Sequence, residues 1–90
     1  DEALDIGLVN EVSKDGELMK DAKEFAKRLA KQAPISMRCI IDSVNRGLDT
    51  SIEKGLEIEA ENLSEVITTE DFMEGISAFM EKREPKFKGR

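Results

Sequence analysis

Apolar side chains recur at intervals of three and four residues along most of this chain, the spacing that lines one face of an α-helix. Residues 8–12, LVNEV, depart from this spacing, and they predict a short extended segment at best. The first long helical stretch carries its apolar face on Leu18, Ala22, Phe25, Ala26, Leu29 and Ala30. The pattern therefore predicts an all-α fold.

Proline, glycine and capping residues predict where the helices begin and end. Residues 2–6 have the pattern of a last helical turn, which Gly7 would stop in the left-handed conformation. We expect Asp15 to cap the next helix and Pro34 to end it while opening a third. Gly47 is expected to close that third helix.

Two further helices follow in the second half of the chain. Thr50 and Glu53 form a T-x-x-E capping box, and Thr68 and Thr69 are expected to cap the last helix. The apolar faces of the last three helices are Ile35, Ile40, Ile41 and Val44, then Ile52, Leu56, Leu63, Val66 and Ile67, then Phe72, Ile76, Phe79 and Met80. We expect three to four helices with short loops, packed roughly antiparallel, each burying its apolar stripe against the others.

Composition excludes several classes of site. The 90 residues contain one cysteine and no histidine, which rules out a disulfide framework and a Ser-His or Cys-His nucleophile and argues against zinc. The net charge of −6 argues against nucleic-acid binding, and no apolar run approaches the ~20 residues of a membrane span. We expect a cytoplasmic protein in a reducing compartment.

Four glutamates repeat at intervals of four residues and share one helical face: Glu53, Glu57, Glu61 and Glu65. Buried carboxylate pairs can act as general acid and base, but this stripe lies opposite the apolar face. We therefore expect it to be solvated. Glu59 lies nearer the apolar edge and is expected to pair with a basic residue of another helix.

Cys39 and most of the aromatic and methionine side chains are interpreted as packing residues. Arg38 is adjacent to Cys39 in the sequence but points elsewhere on a helix, so we expect Cys39 to be a small buried or half-buried apolar residue. Phe25, Phe72, Phe79 and the methionines are expected in the core. Phe87 follows a proline in the tail, and we expect it to anchor the tail on a neighbouring helix.

The chain ends in a basic segment although the rest is acidic. Residues 81–90 hold five basic and two acidic side chains, a net charge of +3, which leaves −9 for residues 1–80. Lys82 and Arg83 end a helix, where cations interact favourably with the helix dipole. The alternative is an anionic ligand such as a phosphate.

The order and spacing of several short motifs resemble the C-terminal part of the enoyl-CoA hydratase (crotonase) family. The resemblance covers essentially all 90 residues, and the absence of an initiator methionine also leads us to expect a piece of a longer protein. The motifs are EALDIGLVNEV, AxxxAKRLAKQAP, SVNRGLD, GLEIEAENL, TTEDFMEGISAFMEKR and PxFxGR.

The resemblance implies a fold and an activity that the residues alone do not. Members are hydratases, isomerases and relatives acting on acyl-CoA thioesters, with an N-terminal β/α spiral that holds the oxyanion hole and, in hydratases, two catalytic glutamates. Residues 1–13 would be a remnant of that spiral. Residues 1–90 would be the C-terminal helical domain and residues 82–90 its basic tail. No catalytic residue is expected within this chain.

By position in the AFxEKR motif, the resemblance assigns Phe79 and Lys82 to the adenine and phosphates of coenzyme A, which enters as part of the thioester substrate and not as a prosthetic group. The helices would also build a homo-oligomer, a trimer or a dimer of trimers. We expect the C-terminal part of an enoyl-CoA hydratase that reversibly hydrates 2-enoyl-CoA. An isomerase or other crotonase relative, or a purely structural helical assembly module, remains the alternative.

Overall fold

The computed structural model describes all 90 residues and contains five helices and no strand. The helices are α1 (Glu2–Asp5), α2 (Leu18–Ala30), α3 (Pro34–Leu48), α4 (Ile52–Val66) and α5 (Glu70–Glu81). The all-α prediction is confirmed, with the four long helices where the apolar spacing placed them. None of the five combines the length and apolar character needed to cross a membrane. The chain forms two compact units, Asp1–Ala30 and Lys31–Arg90.

The first unit joins the one-turn helix α1 to α2 through an irregular segment. Gly7 follows α1 with φ 73°, which confirms the left-handed stop. Asp15 does not cap α2, which begins three residues later at Leu18. Gly16, with φ 80°, turns the chain in between, and the backbone carbonyl of Glu17 accepts the first helical hydrogen bonds instead.

The loop before α2 is tied to that helix by an ion pair. The guanidinium of Arg28 donates to the carboxylate of Glu11 at 2.7 Å and lies 5.1 Å from the centre of the Phe25 ring. Leu18, Leu29 and Met19 remain exposed on α2. The apolar face that the spacing predicted therefore exists on α2, but it is only partly covered within this unit.

In the second unit, α3 and α4 form an antiparallel hairpin. Near one end, Arg38 donates to Glu65, and in the middle Asn62 donates to Asp42 and to Ser43, each at 2.9 Å. The contacts run in opposite directions along the two helices, as expected for neighbours joined by a short loop. Pro34 is the first residue of α3, as predicted.

Gly47 does not close α3 but lies inside it, one residue before the end at Leu48. Its role is close packing, because a Cβ placed on Gly55 of α4 would lie 3.6 Å from the Gly47 Cα. The predicted T-x-x-E capping box of Thr50 and Glu53 is wrong. Ser51, not Thr50, caps α4 and accepts a hydrogen bond from the Lys54 N–H at 3.2 Å.

The expected burial of one apolar stripe per helix is wrong for the hairpin. The side chains that α3 and α4 bury are Cys39 and Ile58, each 3% exposed. The larger predicted stripes stay in solvent: Ile40, Ile41, Val44, Ile52, Leu56, Leu63 and Ile67 are exposed. Two helices that approach through Gly47 and Gly55 bury only a narrow strip, so the broad apolar faces have no partner within the unit.

The aromatic and methionine core was also predicted too broadly. Phe25 and Phe72 are half-buried, as is Met37. In contrast, Phe79 is 85% exposed, and the other three methionines, Met19, Met73 and Met80, are exposed as well. Helical spacing identifies an apolar face, but it does not tell which chain segment will cover it. Cys39 is buried as predicted.

The C-terminal tail folds back along α5 and is held by a buried carboxylate. Thr69 caps α5 as predicted, accepting from the Phe72 N–H at 3.0 Å. Asp71 is 2% exposed and accepts from the backbone N–H groups of Lys88 and Gly89 at 2.7 and 2.8 Å. Its own N–H donates to the carbonyl of Arg90 at 3.0 Å.

Phe87 anchors this tail, which confirms the prediction. A Cβ placed on Gly75 of α5 would lie 3.7 Å from the Phe87 ring, so the ring rests on the bare backbone of that helix. Gly89 takes φ 75° and lies against Pro34. The tail is therefore ordered by contacts at its middle and its end.

We predict that Asp71→Asn releases the end of the tail. Two backbone N–H groups lose a charged acceptor, and hydrogen bonds of this kind contribute about 1.5–3 kcal/mol each when buried. Hydrogen exchange should therefore accelerate at the Lys88 and Gly89 amides. Glu70→Gln, one residue away on an exposed side chain, is the control and should leave both amides protected. Equal exchange in the two variants would contradict the role of Asp71.

Candidate functional site

The two residues assigned to a coenzyme A contact lie together at the C-terminal end of α5. Phe79 is in the last turn and 85% exposed, and Lys82 is the first residue beyond the helix. The backbone N–H of Lys82 donates to the carbonyl of Phe79 at 3.3 Å. The site is thus an exposed aromatic ring and an exposed ammonium held on one helix end.

Lys82 has an unusual backbone conformation. Its φ of 54° and ψ of 42° place it in the left-handed region, and it is the only residue other than glycine with positive φ. The Arg83 N–H donates to the carbonyl of Ala78 at 3.0 Å, which completes a Schellman end to the helix. This turn reverses the chain and sends the tail back along α5.

Arg83, next to Lys82, is engaged by acidic side chains. Its guanidinium donates to both carboxylate oxygens of Glu74 at 2.6 and 2.9 Å and to Glu81 at 2.8 Å. It also donates to the backbone carbonyl of Glu84 at 3.3 Å. The hydrogen bonds to Glu74, followed by the one to Glu81, raise the pKa of Arg83 further above its usual range. Arg83 is therefore a structural cation, a role that sequence reasoning missed.

Glu74 is the counterpart that organises this bridge. Besides the two bonds from Arg83, one of its oxygens accepts from the backbone N–H of Lys86 at 2.8 Å. The Arg83 hydrogen bonds, followed by that of Lys86, lower the pKa of Glu74 from 4.5 to about 2. Glu74 and Arg83 are nine positions apart across a helix end, so helical spacing alone gives no signal of this pair.

The basic tail carries less free charge than its composition suggests. Arg90 pairs with Glu70 at 2.9 Å, and Arg83 pairs with Glu74 and Glu81. Lys82, Lys86 and Lys88 form no salt bridge. Three lysines are thus the basic residues of the tail that form no salt bridge, and Lys82 is the one closest to Phe79 in the sequence.

The glutamate stripe on α4 is exposed along its length, as predicted. Glu57 pairs with Lys54, and Glu65 pairs with Arg38 and lies 3.9 Å from the Cys39 sulfur. Glu59 forms no ion pair, so the prediction that it pairs with a basic residue of another helix is wrong. These carboxylates do not form a buried acid–base pair, and no cluster of acidic or cysteine side chains could hold a metal.

An apolar groove of about 520 Å³ lies along the α3–α4 hairpin. Its walls include Ile40 and Val44 from α3 and Leu56 and Leu63 from α4, and Glu59 contributes at its edge. The groove is lined by the same exposed stripes that the sequence predicted to be core. It is a surface suited to apolar contact, with no group placed for covalent or acid–base chemistry.

Comparison with known proteins identifies the family. The model of the enoyl-CoA hydratase/isomerase family matches residues 1–90, the whole chain. The chain belongs to the enoyl-CoA hydratase/isomerase family. The predicted resemblance is therefore confirmed, and a helical segment of this kind occurs within solved enoyl-CoA hydratases.

Individual members show how far the similarity extends. The short-chain-enoyl-CoA hydratase of Clostridium acetobutylicum is 42% identical over 91 residues, which cover 100% of this chain and 35% of that protein. The crotonyl-CoA hydratase of Syntrophomonas wolfei is 37% identical, and the matched residues cover 97% of this chain and 34% of that protein. The chain thus spans about a third of the length of these relatives.

Solved structures of the family share the backbone. An enoyl-CoA hydratase of Geobacillus kaustophilus matches with a TM-score of 0.91 and 37% identity over 99% of this chain, which covers 35% of that protein. One from Bacillus anthracis matches with a TM-score of 0.91 and 36% identity, with 99% and 34% of the two chains covered. Both helical units of this chain fall within the matched region.

We predict that Glu74 makes the stability of the second unit depend on acidic pH. The folded pKa of about 2 lies below the ~4.3 of an unfolded glutamate, so the unfolded chain binds the proton first as the pH falls. The contribution of Glu74 to the free energy of unfolding is then complete above about pH 5 and is lost progressively toward about pH 2.

Denaturant unfolding measured between these pH values checks this. Glu74→Gln should flatten the fall in the free energy of unfolding with acid, because the substituted side chain no longer titrates. Glu70→Gln removes an exposed tail ion pair and should keep most of the slope. If the Glu74→Gln slope equals that of the unmodified chain, the bridge does not act as described.

Proposed function

We propose that this chain is the C-terminal helical part of an enoyl-CoA hydratase that reversibly adds water to 2-enoyl-CoA. The observation that carries the proposal is the family match over the whole chain, with 42% and 37% identity to proteins named as short-chain-enoyl-CoA and crotonyl-CoA hydratases. In this proposal residues 1–13 are the remnant of a preceding spiral domain, and residues 82–90 are the basic tail.

The chain supplies one edge of the coenzyme A site. An exposed aromatic face suits an adenine ring, and an ammonium suits a phosphate as a point charge. Phe79 and Lys82 offer these two groups at the end of α5, and Arg83 cannot replace Lys82 because its guanidinium is engaged by Glu74 and Glu81. Coenzyme A is then the thioester part of the substrate, and the protein needs no prosthetic group.

The chemistry itself lies outside this chain in the proposal. Enolate stabilisation requires donors aimed at the thioester oxygen, and hydration requires an acid and a base placed around one water molecule. The carboxylates of α4 are exposed, and Asp71 and Glu74 are engaged by the tail. Their positions support a role for this chain in binding and not in catalysis.

The chain also provides oligomer contacts, in a trimer or a dimer of trimers. The support is the broad apolar surface exposed on α3 and α4. Contact of this surface with water is unfavourable, and contact with another protomer would remove it from water. The same surface favours the second candidate function, a helical assembly module without ligand contact.

An isomerase of the same family is equally compatible with these residues. We place the protein in the cytoplasm, which the unpaired Cys39 supports.

Kinetics of the full-length enzyme test the coenzyme A edge. Lys82→Ala should raise KM for crotonyl-CoA roughly tenfold and leave kcat nearly unchanged, because a phosphate contact far from the reacting carbon stabilises ground state and transition state equally. Lys88→Ala removes the same charge from the tail and is the control. An unchanged KM in Lys82→Ala would favour the assembly module, and an equal rise in both variants would indicate only a general positive field.

A second assay tests the division of labour. Purified residues 1–90 should not hydrate crotonyl-CoA above the uncatalysed rate, measured by the loss of enoyl-thioester absorbance. The full-length enzyme serves as the positive control. Hydration by the 90-residue chain would show that catalytic groups lie among its own side chains and would overturn the proposed assignment of roles.

A further inference from the structure

Lys82 occupies a backbone position that glycine usually fills. In a Schellman helix end, the residue after the last helical one takes the left-handed conformation, which is unfavourable for a side chain with a Cβ. Lys82 takes it with φ 54° while Arg83 and Lys82 donate to the carbonyls of Ala78 and Phe79. A strained residue of this kind persists where the surrounding structure holds it.

The holding contacts lie directly after Lys82. Arg83 forms a two-pronged bridge to Glu74, with N–O distances of 2.6 and 2.9 Å, and Glu74 also accepts the Lys86 N–H at 2.8 Å. Glu74 lies on the rigid helix, so it fixes the chain on the far side of the turn. The helix itself fixes the near side. Glu74 stays ionised down to about pH 2, which keeps the bridge charged throughout the neutral range.

Lys82 is in addition the cation that this arrangement leaves free. The Arg83 guanidinium is used by Glu74, Glu81 and the Glu84 carbonyl, whereas the Lys82 ammonium forms no salt bridge. Two adjacent basic residues therefore have different tasks. Arg83 binds the turn to α5 through Glu74. Lys82 extends from the backbone of that turn, whose conformation the Arg83–Glu74 bridge holds.

We propose that Glu74, acting through Arg83, is a positioning residue that holds Lys82 in its left-handed conformation so that the ammonium is directed at the phosphate of the substrate. The proposal rests on the coenzyme A contact proposed above for Lys82. A cation held in place loses less conformational freedom on binding than one on a mobile tail, so preorganisation increases affinity.

Calorimetric titration of the full-length enzyme with coenzyme A and with 3′-dephospho-coenzyme A tests this, and it requires no turnover. Glu74→Gln should weaken coenzyme A binding about threefold, the size expected from mobilising one long side chain. The same substitution should leave 3′-dephospho-coenzyme A binding nearly unchanged, since the phosphate that Lys82 contacts is missing. In a Lys82→Ala background, Glu74→Gln should have no further effect on coenzyme A binding.

Glu70→Gln is the matched control. It is the same substitution on the same helix, and it removes an ion pair to the same tail at Arg90, but it does not touch the turn at Lys82. Its affinity for both ligands should equal that of the unmodified enzyme. If Glu74→Gln does not fold, Arg83→Lys decides the matter, because it keeps the charge and loses the two-pronged geometry. It should show the same selective loss.

Lys82→Gly tests the backbone strain at position 82 without removing the Arg83–Glu74 bridge. Glycine relieves the left-handed strain, so Tm should rise relative to Lys82→Ala, while both variants should lose coenzyme A affinity to the same extent. A Tm no higher than that of Lys82→Ala would contradict a strained lysine.

The outcomes separate this proposal from the one it rests on. If Lys82→Ala leaves coenzyme A binding unchanged, the contact itself is wrong and the positioning role falls with it. If Lys82→Ala weakens binding and Glu74→Gln does not, only the positioning role is overturned. Equal losses for both ligands, or equal losses in Glu74→Gln and Glu70→Gln, would likewise overturn it.

Discussion

Two carboxylates on one face of α5 hold the end of this chain in place. Asp71 binds the last residues through the N–H groups of Lys88 and Gly89, and Glu74 binds the turn through Arg83. Both are charged acceptors of several hydrogen bonds, which makes these contacts stronger than bonds between neutral groups. Without them a segment containing proline and glycine would have no regular backbone pairing to order it, and the exposed groups at the end of α5 would have no fixed frame.

The α3–α4 hairpin obeys a different constraint. Gly47 and Gly55 let the helices approach closely, so the buried strip is narrow and only Cys39 and Ile58 are deeply covered. The large aliphatic side chains face outward along a groove of about 520 Å³. Apolar surface of this extent is unfavourable in water and is typical of a site for contact with other protein. This agrees with a chain that spans about a third of its relatives' length.

Much of the helical structure could be predicted from local signals, because spacing, Pro34 and Thr69 act over a few residues. Errors arose where the deciding interaction is between segments. The sequence predicts a helix end at Gly47 because the close approach of Gly55 cannot be seen in the order of the residues. The apolar stripes were assigned to a core because amphipathicity shows which face avoids water and not what covers it. Phe79 and Lys82 could be proposed only from motif resemblance, since charge and spacing alone also fit an ordinary helix end.

The ion pairs of the tail show that its arginines and lysines differ in their interactions. Counted along the sequence, residues 81–90 are simply basic. In the folded unit the side chains of the two arginines pair with glutamates of α5, whereas the side chains of Lys82, Lys86 and Lys88 form no salt bridge. Arginine suits a fixed bridge because its planar fork meets a carboxylate with two parallel bonds, whereas lysine carries a compact charge on a mobile stem. The arginine side chains thus help to order the tail, whereas the lysine side chains form no ion pair, and the left-handed Lys82 lies directly before the bridging Arg83.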